Sequence, residues 1–181
     1  IGRVAAEITD AEMVQVWWVQ LLGKPATEPG QDAATRVGWH QDRQYWGSWE
    51  PDAELLTAWV AISDVTEEAG PMRFVDGSHR WGMLDGGDFY GQDNDALKED
   101  IGAPEGETWS ETLAVLPPGG VSFHDSQTFH ASGQNHSGEM RRSFAIHMRT
   151  NRAAPKDGRR GGLTPFTADP TRNPAIFRSL S

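Results

Sequence analysis

The sequence predicts a mainly β chain folded as a jelly-roll barrel of two sheets. Short apolar runs recur at close intervals, clusters of Gly, Pro and Asp separate them, and one long stretch (residues 82–110) lacks a steady apolar period. Many short strands with turn signals between them are the pattern of a double-sheet barrel. A chain of 181 residues can bury one sizeable core, and no shift in composition divides it. A single domain over 1–181 is therefore expected, with its core at about 14–150.

Residues 14–22 read as the first strand, stopped by Gly23 and Pro25, and 27–35 as a loop. Residues 36–45 read as the second strand. Residues 55–62 are nearly all apolar, as expected of a strand buried on both faces. A turn over 66–71 precedes a short strand at 72–75, which ends in Asp76-Gly77-Ser78-His79. Segments as long as 82–110 without clear structure are functional lids or disordered, and a lid over the substrate side is the expectation. Residues 113–116 lead into the turn Pro117-Pro118-Gly119-Gly120. Two strands follow, 121–132 and 141–150, read as a hairpin across 133–140, and the tail 151–181 is expected to wrap the surface.

Composition narrows the function. The chain carries 26 Asp and Glu against 16 Lys and Arg, a net charge of -10, which disfavours nucleic acid or an anionic membrane as partner. With no cysteine, disulfide scaffolds, zinc knuckles and thiol catalysis are excluded, so any metal must sit on His and carboxylates. No apolar run approaches a membrane span and no signal peptide is visible. A cytoplasmic enzyme acting on a small molecule is the expectation. The chain starts at Ile1, which leaves a removed leader or an absent N-terminal segment open, and its oligomeric state is not readable. Eight tryptophans suggest a core or pocket of large flat rings, with Trp46 and Trp49 as candidate pocket walls.

The chemistry concentrates in Gly38-Trp39-His40-Gln41-Asp42. On a strand, residues two apart share a face, so His40 and Asp42 would present an imidazole and a carboxylate to one point. A distant second histidine would complete a 2-His-1-carboxylate triad, which leaves open positions on a non-haem iron(II). His124, His130, His136 and His147 compete for that place. His130 is preferred because Ser132 and Arg141 lie at useful offsets from it. His136 falls in the turn, His124 reads as a hydrogen-bonded structural residue, and His147 as an outer partner of the site. Alternation puts Arg141, Ser143 and His147 on one face of the last strand, and the hairpin would set Arg141 opposite Ser132. Arginine suits the far carboxylate of a keto-acid co-substrate, because its planar fork pairs with carboxylate bidentately.

Several segments resemble the phytanoyl-CoA dioxygenase family of iron(II)- and 2-oxoglutarate-dependent oxygenases. They are Trp39-His40-Gln41-Asp42, Ala58-Trp59-Val60-Ala61, Gly70-Pro71-Met72 through Gly77-Ser78-His79, and Phe123-His124-Asp125 through His130-Ala131-Ser132-Gly133-Gln134-Asn135. Arg141 follows His130 at the separation the family uses. The resemblance implies a double-stranded β-helix (a cupin-like jelly roll) with few peripheral helices. It implies Fe(2+) on His40, Asp42 and His130, with 2-oxoglutarate and O2 as co-substrates. It also matches Lys24, Gln41, Trp59 and Ser132 to positions lining the 2-oxoglutarate pocket, beside Arg141. The activity implied is hydroxylation of an unactivated C–H bond with release of succinate and CO2. Halogenating relatives replace the carboxylate ligand by a small residue, so Asp42 argues for hydroxylation, with desaturation, ring closure and epimerisation left open. Two other classes stay open: a cupin-like binding or regulatory protein without turnover, and a non-redox hydrolase or isomerase on the same barrel. The substrate is not named by any motif.

Overall fold

A computed structural model describes residues 1–28, 31, 35–156, 164 and 166–179. Parts of the expected 27–35 loop and of the 151–181 tail lie outside the described residues. Two antiparallel sheets face each other, as expected for the jelly roll. The larger is built from β1 (Met13–Lys24), β3 (Leu55–Ala61), β6 (Val121–Asp125), β8 (Arg141–Thr150) and β9 (Ala175–Arg178), in the order β6-β3-β8-β1-β9. The smaller contains β2 (Val37–His40), β4 (Met72–Val75), β5 (Glu111–Leu113) and β7 (His130–Ser132), in the order β2-β7-β4-β5.

β3 is buried on both faces, as its apolar run predicts. Leu56 and Ala58 point outward and pack with Met148 under helix α1 (Gly2–Thr9), whose Ala5 and Ala6 allow close approach. Thr57, Trp59 and Ala61 point into the barrel, where Trp59 meets Met72, Val65 and Ala145. β8 alternates as its sequence predicts, with Arg141, Ser143, Ala145 and His147 buried on the inner side.

β1 does not alternate regularly, and the break positions the site. Val16 pairs with Met148 and Trp18 with His147, so Trp17 is an extra, bulged residue. Before the bulge, Val14 and Val16 belong to the outer cluster under α1. Beyond it, the phase is inverted, and Gln20, Leu22 and Lys24 line the interior. Trp17 itself packs with Trp46, Trp49 and Leu55.

Other expectations need correction. Strand β2 stops at His40, and a 3-10 turn over Asp42–Gln44 replaces the rest of the strand predicted to reach residue 45. The strand predicted over 121–132 is two strands in different sheets, β6 and β7. The 133–140 connection is therefore no hairpin: β7 pairs with β2 and β4, while β8 pairs with β1 and β3. The tail adds β9 to the edge of the larger sheet beside β1. Residues 82–110 include helix α2 (Asn94–Ile101), capped by the Asp93 carboxylate on Ala96 N–H. Leu97, Ile101 and Trp109 of this segment pack on Trp39, Val75 and Phe129, which covers the outer face of the smaller sheet.

Candidate active site

His40 and His130 are Cα partners across β2 and β7, so two imidazoles start from adjacent positions. Their rings lie 4.1 Å apart between centroids. Each Nδ1 bonds the carbonyl two residues earlier: His40 to Gly38 at 2.8 Å and His130 to Thr128 at 2.9 Å. A carbonyl can only accept, so both Nδ1 atoms carry the proton and both Nε2 lone pairs are free to bind a metal. They converge on Asp42 Oδ1, at 3.6 Å from His40 and 3.7 Å from His130.

Asp42 reaches this point although it has left the strand. Gln41 keeps an extended backbone (φ -108°, ψ 126°), so Asp42 returns to the His40 side before the 3-10 turn begins. Ser126 C=O accepts from Arg43 N–H at 2.8 Å and anchors that turn. One donor atom from each of His40, Asp42 and His130 lies within 4.8 Å of the others, a set that could hold a divalent ion. Burial opposes the Asp42 charge, but the imidazoles of His130, His124 and His40 that surround it outweigh burial and hold the carboxyl well below its usual range. Burial, then His40, keeps His130 well below the ordinary imidazole range. An ionised Asp42 beside a neutral His130 is the state a metal needs.

The triad sits in a cavity of about 350 Å³ between the sheets. Elsewhere in it lie Lys24 and Arg141, Cα partners across β1 and β8 and each only 5% exposed. Lys24 Nζ donates to Ser132 Oγ at 2.7 Å and to Gly133 C=O. Arg141 donates to Gly70 C=O, lies 5.1 Å from the Trp59 ring centroid, and keeps its Nε buried without a partner. Burial lowers Arg141 to about 10, and burial with the nearby Arg141 and Arg36 charges lowers Lys24 to about 7. Among the described residues no carboxylate pairs with either cation. A buried orphan guanidinium donor beside an ammonium fits the far carboxylate of a dicarboxylic co-substrate.

Most of the expected site residues therefore meet in one cavity: His40, Asp42, His130, Arg141, Ser132, Lys24 and Trp59 all line it. Ser132 and Arg141 approach from opposite sheets rather than across a hairpin, with Lys24 between them. Gln41 does not line the cavity. Its amide donates to Gly82 and Gln127 carbonyls at 2.8 and 2.6 Å and accepts from Leu84 N–H at 3.0 Å, which ties the end of β2 to the segment behind it. Trp46 and Trp49 belong to the Trp17 cluster instead of the pocket wall.

Two residues are read differently by structure and sequence. His124 is buried, yet neither ring nitrogen is hydrogen-bonded; its Nε2 lies 3.6 Å from Asp42 Oδ2. Thr57, unremarked in the sequence, is the Cα partner of both His124 and His147 and points its hydroxyl at Asp42. Only the strand order β6-β3-β8 brings these three into one row. From the 82–110 segment, Phe89 alone lines the cavity, with its ring 4.9 Å from that of His40.

Residues 2–143 match the family described as phytanoyl-CoA dioxygenase (PhyH). The chain belongs to this family. Among curated relatives is a probable alpha-ketoglutarate-dependent hypophosphite dioxygenase of Stutzerimonas stutzeri. It is 31% identical over 117 residues, which is 61% of this chain and 38% of that protein. Phytanoyl-CoA dioxygenase domain-containing protein 1 of Mus musculus is 29% identical over 116 residues, 60% of this chain and 38% of that protein. The chain thus spans well under half the length of these relatives. Among solved structures, the non-heme monooxygenase ThoJ is 28% identical with a TM-score of 0.60, covering 80% of this chain and 49% of that one. The non-heme alpha ketoglutarate dependent epimerase SnoN of nogalamycin biosynthesis shares the fold at a TM-score of 0.71 and 24% identity, covering 99% of this chain and 68% of that one. Iron and 2-oxoglutarate, the cofactors of this family, fit the donor set and the paired buried cations described above.

Proposed function

We propose that the chain is the oxygenase domain of an iron(II)- and 2-oxoglutarate-dependent dioxygenase that hydroxylates an unactivated C–H bond of a small organic molecule. The overall balance is R–H + O2 + 2-oxoglutarate → R–OH + succinate + CO2. The observation behind it is the shared cavity, which holds a buried His40–Asp42–His130 donor set together with two buried cations that lack carboxylate partners among the described residues. Iron(II), when bound, supplies the redox chemistry that couples decarboxylation of the co-substrate to oxidation of the substrate.

The chain's own groups bind, orient and shield. His40, Asp42 and His130 would hold the metal on one side and leave the cavity side open. Arg141 and Lys24 would fix the far carboxylate of 2-oxoglutarate, with Trp59 packed under the guanidinium and Ser132 holding the Lys24 ammonium in place. Phe89 stands beside His40 at the cavity wall and would exclude water from the open side. The lid role of residues 82–110 is confined in this reading to the turn around Phe89, since α2 covers the far side of the smaller sheet.

The acidic composition favours a small-molecule substrate over nucleic acid, and the reading places the enzyme in the cytoplasm. No helix among the described residues is long and apolar enough to cross a membrane. Related structures named as a carbocyclase and an epimerase keep a second reading in view, in which the same site closes a ring or inverts a centre. The test is anaerobic addition of iron(II) and 2-oxoglutarate, then O2, with succinate measured. Succinate formation that requires both iron and intact Asp42 supports the reading. A protein that binds iron but never forms succinate, with or without candidate substrates, would refute it in favour of a binding protein.

A further inference from the structure

The two oxygens of Asp42 face different neighbours. Oδ1 faces the Nε2 atoms of His40 and His130, whereas Oδ2 lies 3.3 Å from Thr57 Oγ1 and 3.6 Å from His124 Nε2. Thr57 Oγ1 is in turn 2.8 Å from His147 Nδ1, and His147 Nε2 is 3.0 Å from the atom placed as Gln20 Oε1, whose assignment against the amide nitrogen rests on the hydrogen-bond network. Gln20 and His147 both line the cavity. A hydrogen-bonded chain therefore runs from the cavity surface to the oxygen of Asp42 that faces away from the two histidine ligands.

Proton counting gives this chain a direction. Burial lowers His147 to about 4, so its imidazole is neutral and carries one N–H. Thr57 has one proton to donate. With the imidazole proton on Nδ1, His147 donates to Thr57, and the Thr57 proton is free for Asp42. With the proton on Nε2, His147 draws the Thr57 proton to Nδ1, and Asp42 Oδ2 keeps only His124 Nε2 at 3.6 Å, beyond hydrogen-bond reach. A buried carboxylate can only accept, and leaving it without that donor is costly. The first arrangement is favoured, and it requires Gln20 to turn its NH2 group toward His147 Nε2, a half-turn of the amide.

We propose that Gln20, His147 and Thr57 form a one-way donor chain that engages Asp42 Oδ2, so that Oδ1 alone is presented to the metal. All three are positioning residues, and the proposal rests on the reading of His40, Asp42 and His130 as metal ligands. Thr57→Val keeps the side-chain shape in β3 and removes the donor, while Thr57→Ser keeps the donor. Gln20→Glu is the directional test, because its carboxylate only accepts and draws the His147 proton to Nε2.

The experiment is anaerobic Co(II) titration of the purified protein and its variants, reading the dissociation constant and the cobalt absorption bands. Thr57→Val is expected to bind cobalt roughly 10- to 100-fold more weakly, the usual range for losing an outer partner of a ligand. Its bands should shift as both Asp42 oxygens become available. Thr57→Ser should restore the parental bands, and Gln20→Glu should shift them in the Thr57→Val direction from two hydrogen bonds away. Parental affinity and bands in Thr57→Val, failure of Thr57→Ser to restore them, or parental bands in Gln20→Glu would overturn the chain. Asp42→Ala is run alongside. If it binds cobalt as tightly as the parent, the ligand assignment falls and takes the chain with it. Weak binding by Asp42→Ala with unchanged Thr57→Val isolates the failure to the chain alone.

Discussion

Lys24 and Arg141 stand side by side because Trp17 is bulged out of β1 seven residues earlier. Without the extra residue, the alternation of Val14 and Val16 would continue and Lys24 would point out of the barrel. The proposed co-substrate end of the cavity thus depends on a register shift remote from it.

Asp42→Ala is expected to lower iron(II) affinity by at least about 100-fold, beyond the roughly 10- to 100-fold typical of outer partners, and to abolish succinate formation. Among the described residues, this carboxylate is the one anionic group facing both Nε2 atoms. Metal titration and succinate assay check this, and retention of both iron and turnover would remove Asp42 from the ligand set.

Arg141→Leu is expected to weaken 2-oxoglutarate binding by on the order of 100-fold or more, since breaking a buried ion pair costs roughly 3–5 kcal/mol. Iron binding should be spared, because Arg141 does not bond to any of the three proposed ligands. Anaerobic titration of 2-oxoglutarate, followed by the metal-to-ligand absorption band, measures it. Unchanged affinity would move the anchor to Lys24.

In the proposed reading, Lys24 should make 2-oxoglutarate affinity pH-dependent. Its ammonium is lowered to about 7 by burial, then by Arg141 and Arg36, and a carboxylate beside it would raise it again. Binding therefore takes up a proton above pH 7, and 2-oxoglutarate affinity should fall as pH rises from about 7 toward 9. The sign for folding is opposite. Between 7 and the model-compound value of 10.5 the unfolded chain holds more protons at Lys24, so this group's contribution to stability increases with pH. Lys24→Met should flatten the binding profile, and an unchanged profile would assign the dependence elsewhere.

Gly38→Ala tests the close approach behind the metal strand. A Cβ there would meet Asp88 C=O at 2.1 Å and Gly91 C=O at 2.9 Å, both backbone atoms that cannot turn aside. Overpacking of this kind costs about 1–3 kcal/mol, which should lower Tm by several degrees. The displaced turn carries Phe89, so metal affinity should fall with it. Parental Tm and affinity would show that the turn yields freely.

The parts of the site that follow local rules were legible in the sequence. His40 and Asp42 converge because the intervening Gln41 is extended, and the inner face of β8 follows simple alternation. What depends on the partner strand was not legible. The reading of residues 121–150 as a hairpin assumed that successive strands pair, whereas β7 and β8 lie in opposite sheets. The row His124–Thr57–His147 crosses three strands far apart in sequence. The bulge at Trp17 leaves no signature in an apolar run that reads as strand in either phase, and Gln41 matched a pocket position although its amide is spent on three backbone groups.

The pairing of His40 with His130 carries a mechanical implication. β2 is the rim strand of the smaller sheet, joined to its neighbour β7 at only two registered positions, one of which is this pair. An ion shared by the two imidazoles and Asp42 would act as a stitch along that rim. Chelation should then loosen the rim before the barrel, so that amides of residues 37–44 exchange with deuterium faster while those of β3 and β8 stay protected.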